Sequence, residues 1–173
     1  RMQSGKYSCV IAPKLGAAVL RLRDEENGIE VFRYRDDCTL KTINKAREIW
    51  GLPTLFLHNR FDKGIIKTSD AVYQMPVNEK KLDNFIHGWV HKREHEIECY
   101  STQDKKVVLV TSYTFDKNDE MYSYFPVDFK ISYTFTLSEN GLLQEIYLTN
   151  NSDKALPVSI CTHTCLNAPM CDG

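Results

Sequence analysis

Between Phe129 and Leu148 the chain alternates with a period of two. Phe129, Ile131, Tyr133, Phe135 and Leu137 are apolar, and Lys130, Ser132, Thr134 and Thr136 between them are polar. Side chains two apart share a face of an extended strand, so this pattern predicts a strand with one buried face. Asn140-Gly141 follows, a dipeptide suited to a two-residue type I′ turn, whose central positions both need positive φ. That turn pairs Glu139 with Leu142, which sets Phe135 opposite Ile146, Tyr133 opposite Leu148, and Thr136 opposite Glu145 on the other face. Shorter runs at residues 7–11, 17–22, 29–34, 71–75, 94–100, 107–115 and 158–162 read as further strands between glycine-containing or charged turns. Residues 40–50 predict one helix, ended by Gly51-Leu52-Pro53.

Many short strands and a single helix predict an all-β fold, a sandwich of antiparallel sheets. No internal repeat, low-complexity tract or long linker divides the chain, so residues 1–173 read as a single β-sandwich domain. Pro169-Met170-Cys171-Asp172-Gly173 follow an apolar strand with no closing element, and a sheet left there would expose an edge.

Composition narrows the classes. A chain of 173 residues that is 42% hydrophobic and 26% charged is globular and can bury a core. Its net charge of -1 lacks the basic excess of a nucleic-acid binder, and Lys80-Lys81 and Lys92-Arg93 read as solvated surface. The best apolar run, Val107-Val108-Leu109-Val110, is far too short to span a bilayer, so neither nucleic acid nor membrane is an expected partner. Cys9, Cys38, Cys99, Cys161, Cys165 and Cys171 are too few to staple a chain of this length. They read as reduced thiols of a cytoplasmic protein, in which the Asn150-Asn151-Ser152 sequon is idle.

Three segments concentrate polar groups beside apolar strands. In Leu57-His58-Asn59-Arg60-Phe61 an arginine between apolar residues can aim its planar guanidinium into a pocket and donate paired hydrogen bonds; the plainer reading is an arginine paired to a surface carboxylate. In Asn84-Phe85-Ile86-His87-Gly88-Trp89 the glycine after His87 suggests close approach to the backbone, and Trp89 offers a flat face suited to a sugar ring. A turn with a buried tryptophan and a hydrogen-bonded histidine fits equally well. In Ile160-Cys161-Thr162-His163-Thr164-Cys165 the alternation puts Cys161, His163 and Cys165 on one face, and with Cys171 they are a conceivable zinc set. A strand spaces alternate side chains too widely for a usual structural zinc site, which favours half-buried thiols around a functional or core histidine. No phosphate-binding glycine loop, nucleophile elbow, HExxH or EF-hand pattern is present.

In this order on a β chain, these segments resemble the aldose 1-epimerase (galactose mutarotase-like) family. The likeness rests on Gly16 to Leu22, on Gly51-Leu52-Pro53-Thr54-Leu55-Phe56 with Asn59-Arg60-Phe61, and on Asn84 to Gly88 as an Asn-x-x-His-Gly motif. Phe125-Pro126-Val127-Asp128-Phe129, Asn150-Asn151 and Thr162-His163 continue it. The resemblance implies a large antiparallel supersandwich, no cofactor, and a monosaccharide or sugar phosphate as partner. It implies that Arg60 and His87 bind sugar hydroxyls and that His163 is the general acid at the ring oxygen; Trp89 is added as a substrate-binding residue by the reading of its own segment. Thr164-Cys165-Leu166 departs from the family's Pro-Tyr-Phe, and Lys92-Arg93 brings the chain nearer the sugar-phosphate branch. The family is nearly twice this length, with its aspartate and glutamate base in the second half, so the resemblance makes this chain an N-terminal portion. Alternatives are a non-catalytic carbohydrate-binding protein and a zinc-stabilised module.

Overall fold

The computed structural model describes residues 1–35 and 38–168. Strands β1 (Met2–Ser4), β2 (Tyr7–Ala12), β3 (Ala18–Asp24) and β4 (Ile29–Glu30) form an antiparallel sheet in sequence order. A short helix, α1 (Leu40–Lys45), leads to five three-residue strands: β5 (Thr54–Phe56), β6 (Arg60–Asp62), β7 (Ile65–Lys67), β8 (Val72–Gln74) and β9 (Asn84–Ile86). A second antiparallel sheet of four follows in sequence order, β10 (Glu96–Gln103), β11 (Lys106–Phe115), β12 (Phe129–Ser138) and β13 (Gly141–Asn150). The last strand, β14 (Ile160–Thr162), returns to pair with β5, while β6 pairs with β9 and β7 with β8. Every strand pair is antiparallel, as the alternation predicts.

The inner face of β12 is the centre of the core. Phe129, Ile131, Tyr133, Phe135 and Leu137 are all fully buried while their polar neighbours stay half-exposed. Burying each such side chain is worth about 1.5–3 kcal/mol relative to exposure. Phe115 stacks on Phe129 at 4.8 Å, and Phe56 of β5 meets Phe129 edge-on at 5.1 Å, which ties the short strands to the large sheet.

The hairpin itself forms, with a register two residues away from the expected one. Ser138 pairs with Gly141, so Phe135 faces Gln144, Tyr133 faces Ile146 and Ile131 faces Leu148. Only Gly141 has a positive φ, +106°, and Asn140 does not, which excludes a type I′ turn centred on Asn140-Gly141. A shift of two keeps every side chain on its own face, so hydrophobic alternation accepts either register.

The expected helix is also shorter. Thr39 caps it by accepting from Thr42 N–H at 3.1 Å, and it breaks at Ala46 into a 3-10 turn at Arg47–Ile49. Residues 42–44, Thr-Ile-Asn, are weak helix formers, and so short a helix is held mainly by tertiary packing. That packing is a small second core in which Ile43 and Trp50 meet Leu15, Ala18 and Leu20. Val19 on the opposite face of β3 joins the main core.

His91 and His95 are buried, and neither ring has a hydrogen-bond partner on either nitrogen. Burial pushes His95 down to about 4; burial, with the nearby charges of Lys92, His87, Arg47 and His163, pushes His91 down to about 3. Between those values and 6.5 the unfolded chain binds the protons and the native fold does not, so stability is complete above pH 6.5 and is lost as pH falls. Urea unfolding at pH 5 should therefore show a loss of about 1–2 kcal/mol per imidazole relative to pH 7. His95→Phe should shrink that difference.

Candidate active site

Strand β5, paired with β14, positions the site. Thr54 pairs with Thr162 on β14, and His163 N–H donates to Pro53 C=O at 2.9 Å, so His163 leaves the sheet directly over the start of β5. At the other end of β5, Gly88 lies on the Phe56–Leu57 backbone: a Cβ there would stand 2.1 Å from Phe56 O and 2.3 Å from Leu57 N. Its φ of +58° also favours glycine. Gly88→Ala should cost about 2–3 kcal/mol of stability in denaturant unfolding, because backbone must move to admit the methyl group.

The close packing at Gly88 turns His87 towards His163. The two rings meet edge-to-face with centroids 5.3 Å apart, although they come from segments 76 positions apart in the chain. His87 is half-buried with left-handed backbone, φ +67°, and its N–H donates to Asn59 C=O at 2.9 Å. Burial holds its pKa below the ordinary value, helped by the charges of His163, Arg60 and Lys92 and opposed by Glu48. His87 is therefore disposed to stay neutral at pH 7, free to donate from one nitrogen and accept at the other.

Arg60 stands one step along the same ladder, since β6 pairs it with Ile86. Its guanidinium is clamped by Glu79, with Nε to Oε2 and Nη2 to Oε1 both at 2.8 Å. Asn84 Nδ2 donates to Glu79 Oε2, also at 2.8 Å, and so braces the clamp. The asparagine of the Asn-x-x-His-Gly segment thus fixes the carboxylate that fixes the arginine. The pair is exposed enough to contribute little stability; its effect is orientation. Glu79 carried no signal in the sequence, because its partner lies across a hairpin formed by residues that read as surface.

Trp89 does not join this group. It is 3% exposed and packs against Phe85, Phe115, Phe125 and Phe129, with ring centroids 5.1–6.4 Å away. The expected sugar platform is a core residue: Gly88 reverses the chain after His87 and sends the next side chain inward.

Cys165 lies beside His163, with Sγ 3.9 Å from Nδ1 and 3.6 Å from Glu48 C=O. The strand ends at Thr162, so the expected extended face of Cys161, His163 and Cys165 is not continued. Among the described residues no three His, Cys, Asp or Glu side chains are grouped to hold a metal ion, and Cys171 of the conceivable zinc set lies outside them. Cys9, Cys38, Cys99, Cys161 and Cys165 are free thiols. No helix among the described residues is long and apolar enough to cross a membrane.

The fold is antiparallel throughout the described strands, and separate segments bring the two imidazoles together beside β5. The chain belongs to the aldose 1-epimerase family, whose model its sequence matches over residues 1–171. It is similar to the crystal structure of a galactose mutarotase-like protein from Clostridium acetobutylicum, with 30% identity and a TM-score of 0.96 over 100% of this chain and 52% of that one. It shares its fold with galactose 1-epimerase from Lactobacillus acidophilus (16% identity, TM-score 0.69, 87% of this chain and 43% of that one). A galactose mutarotase-like protein from Lactobacillus casei is a further match (18% identity, TM-score 0.62, 88% of this chain and 44% of that one). The chain spans about half the length of these structures.

Proposed function

We propose that this chain contributes the acid side of a site that interconverts the α and β anomers of an aldose. The contact between His87 and His163 carries the reading, because it places a neutral hydrogen-bonding imidazole against a second imidazole at the end of β5. His163 gives its proton to the ring oxygen while a carboxylate, which the resemblance assigns to the family's second half, takes the proton of the anomeric hydroxyl. The ring opens to the aldehyde, the C1–C2 bond rotates, and closure on the other face returns both protons. An imidazole can give and retrieve a proton in this way at neutral pH. Arg60, held by Glu79, and His87 hold the hydroxyls while the ring is open.

The test is polarimetry with the complete protein that carries this chain. A freshly dissolved α-aldose or aldose phosphate should reach its equilibrium rotation faster than in buffer. Sugar binding by calorimetry without any acceleration would replace the proposal with that of a carbohydrate-binding protein.

A further inference from the structure

Thr164-Cys165-Leu166 is where the chain departs from its family's pattern, and the fold sets the cysteine of that segment beside the His163 ring. Cys165 Sγ lies 3.9 Å from His163 Nδ1, 3.6 Å from the backbone carbonyl oxygen of Glu48 and 3.6 Å from that of His163. The two carbonyls can only accept, and both stand closer to the sulfur than the imidazole nitrogen does. The single S–H is therefore taken up by a carbonyl, which leaves a sulfur lone pair for the ring. Facing a lone pair, Nδ1 holds a hydrogen, and Nε2 is the nitrogen left to lose and regain a proton.

The sulfur is held in place from both sides. Cys165 N–H donates to Gly51 C=O at 3.0 Å, and Cys165 C=O accepts from Arg33 N–H at 2.7 Å. Glu48 belongs to the 3-10 turn Arg47–Ile49, between Ile43 and Trp50, which are buried against β3. The Arg33 guanidinium is drawn over the Trp50 ring, 4.7 Å from its centroid. Burial holds the thiol above its ordinary pKa, helped by the charge of Glu48 and opposed by that of Arg33, so it is uncharged at neutral pH. An uncharged thiol is a poor nucleophile but still a hydrogen-bonding partner.

We propose that Cys165 is a positioning residue for His163: the relay from Glu48 C=O through Cys165 Sγ to His163 Nδ1 fixes the imidazole in its Nδ1–H form and leaves Nε2 to serve the sugar. The tautomer rests on the contacts of the sulfur, and the direction of proton transfer rests on the anomer-interconverting reading. In the charged imidazole, Nδ1–H stays on the sulfur while the Nε2 proton goes to the ring oxygen. On ring closure Nε2 takes a proton back from that oxygen. The thiol neither loses nor gains a proton and forms no bond to the substrate. It does for this ring what a third, orienting group does for an acid–base imidazole in general.

Two measurements on the complete protein separate this relay from the reaction. In the first, histidine rings labelled with ¹⁵N are followed by NMR at about pH 8, where an ordinary imidazole is neutral, and the His163 signals are assigned by their loss in His163→Asn. The parent should show the Nδ1–H form, Cys165→Ala should move to the Nε2–H form, and Cys165→Ser, which keeps a donor and lone pairs, should retain Nδ1–H. In the second, kcat for mutarotation should fall about tenfold in Cys165→Ala, the weight of one hydrogen bond, with KM little changed and most of the turnover kept in Cys165→Ser. An Nε2–H ring in the parent overturns the proposal even if Cys165→Ala folds poorly. So does an Nδ1–H ring in Cys165→Ala, a serine variant that behaves like the alanine one, or a moved tautomer with kcat unchanged. A doubly protonated ring in the parent that Cys165→Ala makes neutral would mean a thiolate–imidazolium pair and overturn it too. A tautomer that follows the sulfur as stated, in a protein that turns over no sugar, supports the relay and counts against the reaction alone.

Discussion

Trp89→Ala is expected to destabilise the fold by about 3–5 kcal/mol, seen as a large drop in the urea midpoint, because it empties the middle of an aromatic cluster. The indole touches four phenylalanine rings from three parts of the chain, β9, the large sheet and the Phe125 turn, so no single neighbour can close the space it leaves. Its Nε1 is buried without a partner, which leaves no polar anchor to lose and makes packing the whole effect. Trp89→Phe should keep most of the stability, since an aromatic ring still fills much of the volume. A sugar-stacking role would give the opposite pattern: near-native stability in the Ala variant with lost sugar affinity. Equilibrium unfolding of both variants, with sugar binding measured on the folded Phe variant, separates the two.

The misplacement of Trp89 marks what a sequence can show. The alternation of β12 is legible because one face is fully buried and the other is wet, so chemistry repeats with the period of the strand. Trp89 sits in a turn, where no period exists, and an exposed platform and a core ring have the same composition. Gly88 signalled that something approaches the backbone; what it approaches, the Phe56–Leu57 segment, is 31 to 32 residues away in sequence. The hairpin register failed for a related reason. Alternation determines the face of a residue and leaves its partner open by steps of two, and the turn that decides between them depends on the φ of a single residue, Asn140. For the site, the sequence pointed to His87, Arg60 and His163 individually. The clamp of Arg60 by Glu79 forms only when β6 and the segment before β9 meet, so it was invisible to spacing.

His163→Asn should lower kcat/KM for mutarotation by about 10²- to 10⁴-fold, the usual weight of a positioned proton donor. An amide of similar size keeps hydrogen bonding yet cannot exchange a proton near neutral pH. The fold should tolerate it. His163 is half-buried, its backbone bond to Pro53 survives any side chain, and its ring meets His87 and Cys165 at the edge of the fold's core. A second readout moves only if the two imidazoles are neighbours. The charge of His163 lowers the pKa of His87, alongside burial and the charges of Arg60 and Lys92 and against Glu48. Removing His163 deletes one lowering contribution, so the His87 ring should titrate at higher pH in the variant, as followed by its imidazole proton resonances. A fall in turnover without movement of His87 would mean the ring acts from elsewhere. Movement of His87 with turnover held within tenfold would keep the geometry and strip His163 of the proton transfer, leaving its neighbour and the clamped guanidinium as a site that binds sugar without opening it.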